Sequence, residues 1–112
     1  MDIRNIKYSK DAYNYAKDMG KPIPELEDII AQEPYWSYKY AKDIIKGRFE
    51  KGEDVIAQYA YYSYLYARDA LKDRFEKGED AIAQNAEYSR FYTKEFNLKA
   101  QFRGKKGGIK WI

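Results

Sequence analysis

A block of 26 residues is repeated in tandem along this chain. Residues 40–65 and 66–91 are identical at 17 of 26 positions without a gap. A degenerate copy precedes them, since YAKD at 15–18 corresponds to YAKD at 40–43, and a partial copy starts at Glu87. Tandem repeats of this length indicate an array in which each unit covers the apolar face of its neighbour.

Apolar and small residues follow a helical period within one unit. Two neighbouring rows recur every four residues, namely Trp36, Tyr40 and Ile44, and Ser37, Ala41 and Ile45. The pattern predicts a long helix, helix A, over about 34–48 and again over about 60–74. Pro34 suits the first turn of such a helix, where its missing N–H costs nothing.

A short second helix, helix B, is expected after each helix A. We predict that Gly52 and Gly78 end helix A by adopting a positive φ. The acidic pairs 53–54 and 79–80 would then lie in the first turn of helix B and favour its N-terminus. These acids could alternatively serve as general acids or Mg²⁺ ligands, but an identical pair in each unit favours the capping role.

The fold class that follows is all-α, a right-handed solenoid of about three two-helix repeats with a terminal helix and a basic C-terminal tail. We expect one helical domain over 1–102, followed by the tail at 103–112. The expected boundaries are units at 10–34, 35–60 and 61–86 and a terminal helix at 87–102.

The absence of certain residue types limits the possible chemistry. The chain has no Cys and no His, so it lacks the triads, thiol nucleophiles and nitrogen or sulfur zinc sites that these residues form. Ser37, Ser63 and Ser89 share one register, but without a base nearby they are expected to be small contact residues. We therefore predict no catalytic residues, no metal and no cofactor, with a carboxylate-based enzyme as the remote alternative.

Positive charge is concentrated at the C-terminus. Residues 96–112 hold five basic residues and no acid, whereas the rest of the chain holds sixteen basic and eighteen acidic residues. Cations interleaved with aromatic residues can bind phosphates and stack on bases. The residues expected to bind there are Lys99, Arg103, Lys105, Lys106, Lys110 and Trp111. Alternatively, Trp111 and Ile112 fold back and cover the open end of the repeat array.

A second candidate surface lies on the outside of the A helices. Aromatic and basic residues recur there from unit to unit, and together they could contact an acidic protein surface or a nucleic-acid backbone. Tyrosine and arginine are also enriched in protein-binding hot spots. This predicted ladder comprises Tyr35, Tyr38, Lys42, Lys46, Tyr61, Tyr64, Arg68, Lys72, Arg90 and Lys94. Alternatively, its tyrosines fill the groove to the next unit, since Asp43, Asp69 and Glu95 lie beside them.

The repeat resembles short tandem helical repeats found in hypothetical proteins of bacteriophages and other large DNA viruses. The resemblance rests on YAKD at 40–43, KGRF at 46–49, GE at 52–53 and IA at 56–57, with their counterparts in the next unit. It covers residues 35–92 well and 10–34 poorly. It implies a small viral protein that acts on a host component, and it names no chemistry.

These observations together predict a non-enzymatic protein that binds a host protein as an inhibitor or modulator in the host cytoplasm. The alternative is an RNA- or DNA-binding protein that uses the tail and the basic residues of the ladder. No apolar run is long enough to span a membrane, so no membrane partner is expected. Neither the oligomeric state nor the identity of the partner follows from the sequence.

Overall fold

The chain folds into seven α-helices followed by a short β-hairpin in a computed structural model that describes residues 2–102 and 109–112. The helices are α1 (Ser9–Met19), α2 (Glu27–Ile30), α3 (Pro34–Tyr40), α4 (Glu50–Ile56), α5 (Ala60–Leu65), α6 (Glu79–Ala83) and α7 (Ala86–Glu95). Short 3₁₀ turns lie at Ile3–Asn5, Pro24–Leu26 and Glu76–Gly78, and π-helical turns at Ala41–Ile45 and Tyr66–Leu71 extend α3 and α5. The prediction of a helical fold is confirmed.

Counted with their π-helical turns, α3 and α5 are long helices like α1 and α7, and these four alternate with the short α2, α4 and α6. Helices α1, α3, α5 and α7 contact one another in chain order. The short α2 and α6 pack against the long helices before and after them, and α4 packs against α3 and is joined to α5 by the hydrogen bond from Ser63 to Ile56. The molecule measures 52 × 24 × 19 Å.

Helix A ends earlier than predicted, and a lysine rather than a glycine carries the positive φ. The π-helical turns end at Ile45 and Leu71, and Lys46 and Lys72 follow with φ of 61° and 55°. Gly52 lies inside α4, and Gly78 lies in the 3₁₀ turn before α6. The prediction that these glycines end helix A is therefore wrong.

The glycines are needed because neighbouring helices approach each other closely there. A Cβ added to Gly52 would lie 2.7 Å from Cβ of Ser37 and 2.8 Å from the Phe49 ring. Gly78 has the same relation to Ser63 and Phe75. Serine in this register is buried as a small contact residue, as the sequence predicts.

Each of these serines also joins helix A to the preceding helix B. The Ser37 hydroxyl donates to the carbonyl of Ile30 at 3.1 Å, Ser63 to Ile56 at 3.0 Å and Ser89 to Ile82 at 2.8 Å. Each of these carbonyls also accepts a backbone N–H from the turn that follows it, so the serine adds a second hydrogen bond at the end of each short helix.

A buried tyrosine connects each long helix to the unit before it, and we call this arrangement the tyrosine bridge. The Tyr66 hydroxyl donates to the Glu53 carboxylate at 2.6 Å and accepts the backbone N–H of Phe49 at 2.8 Å. Arg48 pairs with the same carboxylate at 2.7 Å. Equivalent bridges are made by Tyr40 with Glu27 and Ile23, and by Tyr92 with Glu79 and Phe75.

The bridges revise the predicted role of the acidic pairs. Glu53 is 1% exposed, and no side-chain hydrogen bond caps α4. Its carboxylate is instead held by Tyr66 and Arg48, so the capping prediction is wrong for this residue. A buried carboxylate held by two donors is a structural element and gives no support to a general acid or base.

The predicted terminal helix over 87–102 is present as α7, but its predicted end is wrong, because α7 stops at Glu95. Asn97 has a φ of 53°, a conformation that asparagine tolerates better than most residues. Strands β1 (Ala100–Phe102) and β2 (Ile109–Trp111) then pair antiparallel, with Ala100 opposite Trp111. The Trp111 ring is 2% exposed and lies 5.1 Å from the ring of Tyr92.

We predict that Gly52→Ala and Gly78→Ala each lower the free energy of unfolding by about 1–3 kcal/mol, because the added methyl group overpacks the contact with serine and phenylalanine. Urea unfolding followed by circular dichroism measures the change. Gly47→Ala is the matched control, since an added Cβ there meets no atom within 4 Å. Equal effects at Gly47 and Gly52 would contradict the close-approach explanation.

Candidate functional site

A connected series of aromatic rings crosses the long helices from α3 to α7, and we call it the aromatic strip. Its members are Tyr35, Trp36, Tyr59, Tyr61, Tyr62, Tyr64, Tyr88 and Phe91. Measured between ring centroids, Tyr35 lies 6.3 Å from Tyr62. Tyr61 lies 5.1 Å from Tyr62 and 5.5 Å from Tyr88. Neighbouring units therefore place their rings in contact.

The strip exposes an unusual amount of aromatic surface. Tyr35, Tyr59, Tyr61 and Phe91 are each between 41% and 47% exposed. Exposed aromatic residues that adjoin one another are typical of interaction surfaces, whereas single exposed apolar residues are common everywhere. The repeat explains part of the continuity, because Trp36, Tyr62 and Tyr88 occupy equivalent positions, whereas Tyr59 and Phe91 have no aromatic counterpart in the other units.

Grooves between successive long helices run beside the strip, and the first two are closed by a tyrosine–aspartate hydrogen bond. Between α1 and α3 the Tyr13 hydroxyl donates to Asp43 at 2.7 Å. Between α3 and α5 the Tyr38 hydroxyl donates to Asp69 at 2.5 Å. The ammonium groups of Lys39 and Lys42 lie 6.0 and 5.8 Å from the centroids of the two tyrosine rings.

The environment of these pairs favours a neutral tyrosine and an ionised aspartate. Burial, followed by the hydrogen bond to Asp69, raises the pKa of Tyr38 well above its ordinary value. Hydrogen bonding from Arg68, together with the bond from Tyr38, lowers the pKa of Asp69 against the effect of burial. The pKa of Tyr13 is raised by burial and by Asp43 in the same way.

The third groove, between α5 and α7, differs from the first two. Tyr64 occupies the position of Tyr38 and Glu95 that of Asp69, but within the described residues no hydrogen bond joins Tyr64 to Glu95. The guanidinium of Arg68 lies 5.3 Å from the Tyr64 ring centroid and binds its neighbour Asp69 at 2.7 Å. An open groove of about 480 Å³ results, lined by Tyr61, Tyr64, Leu65, Arg68, Glu87, Tyr88 and Phe91.

Most of the predicted ladder lies on the surface, with one clear error. The exposed members are Tyr35, Lys42, Lys46, Tyr61, Arg68, Lys72, Arg90 and Lys94, and Tyr64 is half-buried. Tyr38 is only 5% exposed, so its placement on the outside is wrong. Its hydroxyl reaches Asp69 in the groove, which is the alternative that the neighbouring acids indicated.

Several strip residues were not in the predicted ladder, although the sequence carried a signal for them. Tyr59, Tyr62, Tyr88 and Phe91 belong to the observed surface, and Trp36 and Tyr62 fit the apolar stripe of helix A. Aromatic residues at 35 and 61 are each followed by another aromatic residue 27 positions later, at 62 and 88. That spacing, one more than the repeat, is typical of contacts between successive helices.

The tail residues divide into three groups. Trp111 is buried against Tyr92, and its carbonyl accepts a hydrogen bond from Arg74 at 3.0 Å. Lys99 is exposed, and its backbone pairs with that of Ile112. Lys110 lies in β2, and Arg103, Lys105 and Lys106 lie outside the described residues. Trp111 is therefore buried as the covering alternative expected, although Ile112 is exposed, and the prediction of Trp111 as a binding residue of the tail is wrong.

The chemistry of the strip suits binding. It combines ring faces, phenolic hydroxyl groups and a guanidinium. No group of three or more acidic residues that could hold a metal ion occurs within 2–102 and 109–112. In that same part of the chain, no helix is long and apolar enough to cross a bilayer.

Comparisons with family models, with curated proteins and with solved structures gave no match to this chain. The case for a function therefore rests on the geometry of the strip and its grooves.

We predict that the protein loses stability at alkaline pH through its buried tyrosines. Folding raises the pKa of Tyr13, Tyr38, Tyr40, Tyr66 and Tyr92, first through burial and then through a carboxylate partner. Because the folded pKa lies above the unfolded value of about 10, this stability is fully present below about pH 10. It is lost as the pH rises through the folded pKa.

A titration followed by phenolate absorbance and circular dichroism tests this behaviour. The helical signal should fall together with the final rise in phenolate absorbance. Ionisation of all 13 tyrosines with the helices intact would contradict the prediction.

Proposed function

We propose that this chain is a non-enzymatic binding protein that holds a partner protein on the aromatic strip. The repeated helix contacts support a right-handed solenoid of about three two-helix repeats as its architecture. The single observation that carries the proposal is the run of contacting, exposed rings across α3, α5 and α7. Tyrosine provides a large contact area at low entropic cost, and arginine is a common hot-spot partner.

Stability and binding use different tyrosines in this proposal. Tyr40, Tyr66 and Tyr92 are fully buried and bridge the units. The strip tyrosines are different side chains of the same helices, and within the described residues none of them joins two units through a hydrogen bond. A rigid scaffold that displays aromatic side chains loses little entropy on binding.

The resemblance of the repeat to those of bacteriophage and viral proteins supports a host protein as the target. The proposed setting is then the host cytoplasm, and the proposed effect is inhibition or modulation of that target. Duplication of every polar cluster in successive units also supports a binding protein over an enzyme, because catalytic centres are usually singular.

Capture experiments test the proposal. We expect the tagged protein to retain a specific protein from lysate of the cells in which it is naturally expressed. The double variant Tyr61→Ala, Phe91→Ala should lose it, because both rings are exposed in the strip. Tyr8→Ala is the matched control, since Tyr8 is 70% exposed and outside the strip.

A partner retained equally by all three proteins, or the absence of any partner, would contradict binding through the strip. Circular dichroism of the double variant should match the wild-type spectrum, so that lost capture reports on the surface and not on the fold.

Nucleic acid is the second candidate partner, favoured by the five basic residues at 96–112. Removal of the tail would also remove Trp111 from its contact with Tyr92, so substitution is the cleaner test. We expect nucleic acid that co-purifies through the tail to be released by high salt. The double variant Lys105→Gln, Lys106→Gln should then no longer retain it, which would assign the tail as its site. Retention of nucleic acid by that variant would exclude the tail.

A further inference from the structure

The third groove has features that select among possible protein partners. Its counterparts between the earlier helices are closed by a bond from Tyr13 to Asp43 and from Tyr38 to Asp69. Phe91 occupies the position that Lys39 has in the first groove and Leu65 has in the second. The opening of about 480 Å³ lies between rings of α5 and α7. The groove therefore offers exposed ring surface, chiefly from Tyr61 and Phe91, which are 46% and 41% exposed.

Two tyrosine hydroxyl groups of this groove can donate to a ligand in place of solvent. Within the described residues, the hydroxyls of Tyr61 and Tyr88 make no hydrogen bond, although both rings line the groove. A helical ligand has its interior carbonyls paired with its own N–H groups. A polyproline II segment leaves every carbonyl unpaired, and aromatic-lined grooves are a recurrent site for such segments.

The length of the groove also suits a short extended segment. Glu87 is the second residue of α7, and its counterpart in α5 is Tyr61. Arg68 lies seven positions after Tyr61 in the chain. Seven helical positions correspond to about 10 Å, which about three residues of polyproline II span at roughly 3.1 Å each.

The charges of the groove indicate what should flank the proline segment. Arg68 is already paired with Asp69 at 2.7 Å. Glu87 is exposed and makes no salt bridge within the described part of the chain, and Arg90, one turn further on, does not line the groove. The charge left for a ligand is therefore negative, which complements a basic residue.

We infer that the groove between α5 and α7 binds a proline-rich segment of a partner protein in the polyproline II conformation, with a basic residue beside Glu87. This inference rests on the proposed function and specifies the partner of the same surface. The rings of Tyr61, Tyr64, Tyr88 and Phe91 pack on the prolines, and the tyrosine hydroxyls donate to the carbonyls of the segment.

Fluorescence anisotropy with labelled peptides tests the inference directly. The probe is a proline-rich peptide flanked by arginine, made with the arginine at either end because the direction of the bound chain is open. The comparison peptides replace proline by alanine, replace arginine by glutamate, or form an amphipathic helix with the same net charge. We expect the proline–arginine probe to bind best and to lose roughly tenfold in affinity on replacement of its prolines.

Variants of the protein then assign the site. Tyr61→Ala and Phe91→Ala should each weaken the probe by roughly tenfold, and Tyr8→Ala should leave it unchanged. Glu87→Lys should weaken the arginine probe by about threefold and strengthen the glutamate version. Preference for the helical peptide, indifference to proline, or binding that survives both ring substitutions would overturn the inference.

The two proposals can fail separately. If the strip captures a protein that the proline probe does not displace, the strip is the interface and the proline inference is wrong. If capture does not depend on Tyr61 and Phe91, the proposed function itself is wrong.

Discussion

The structure depends on one repeated interaction, the hydroxyl of a buried tyrosine shared between a carboxylate and a backbone N–H of the preceding unit. Tyr66 joins Glu53 to the amide of Phe49, and Tyr92 does the same for Glu79 and Phe75. A buried carboxylate is costly unless donors surround it, and here a phenol and an arginine do so. Each bridge joins a long helix to a carboxylate and a backbone N–H of the preceding unit, so a unit cannot shift relative to its neighbour without breaking both hydrogen bonds of the tyrosine.

This constraint also determines the outer surface. Since the bridges fix successive long helices relative to one another, side chains on their other side recur at fixed intervals. The rings of Tyr35, Tyr61 and their neighbours then meet across unit boundaries as a continuous strip. The third groove remains open because the bond between tyrosine and aspartate is not repeated between Tyr64 and Glu95. Variation between otherwise equal units is thus where a specific binding site can arise.

Much of the fold could be predicted from the sequence, because a near-identical repeat with a helical period leaves few alternatives. The helical period could not show that Lys46 adopts the positive φ, nor that Gly52 lies in the close contact with Ser37, since lysine and glycine both suit a helix end. Nor could it show Glu53 buried, because a carboxylate before an apolar run normally indicates a helix start. For the site, the exposed basic and aromatic positions were largely correct. Tyr38 was misplaced because its burial depends on Asp69, which lies in the next unit and 31 residues later in the chain.

The C-terminal hairpin shows the same principle at the end of the array. Trp111, which follows α7 in the chain, lies against Tyr92 as Phe49 and Phe75 lie against Tyr40 and Tyr66. The buried tyrosine of α7 is thereby covered by a residue from a strand. A sequence pattern confined to helices could not predict this contact.

Native-state hydrogen exchange measured by NMR tests the tyrosine bridge most directly. The amide of Phe49 precedes the first turn of α4, where backbone N–H groups normally exchange readily. The bridge predicts that it exchanges at least about a hundredfold more slowly than the amide of the adjacent Glu50, and that Tyr66→Phe removes this protection while Phe75 keeps its own. Exchange of Phe49 as fast as that of Glu50 in the wild-type protein would contradict the bridge as the interaction that joins the units.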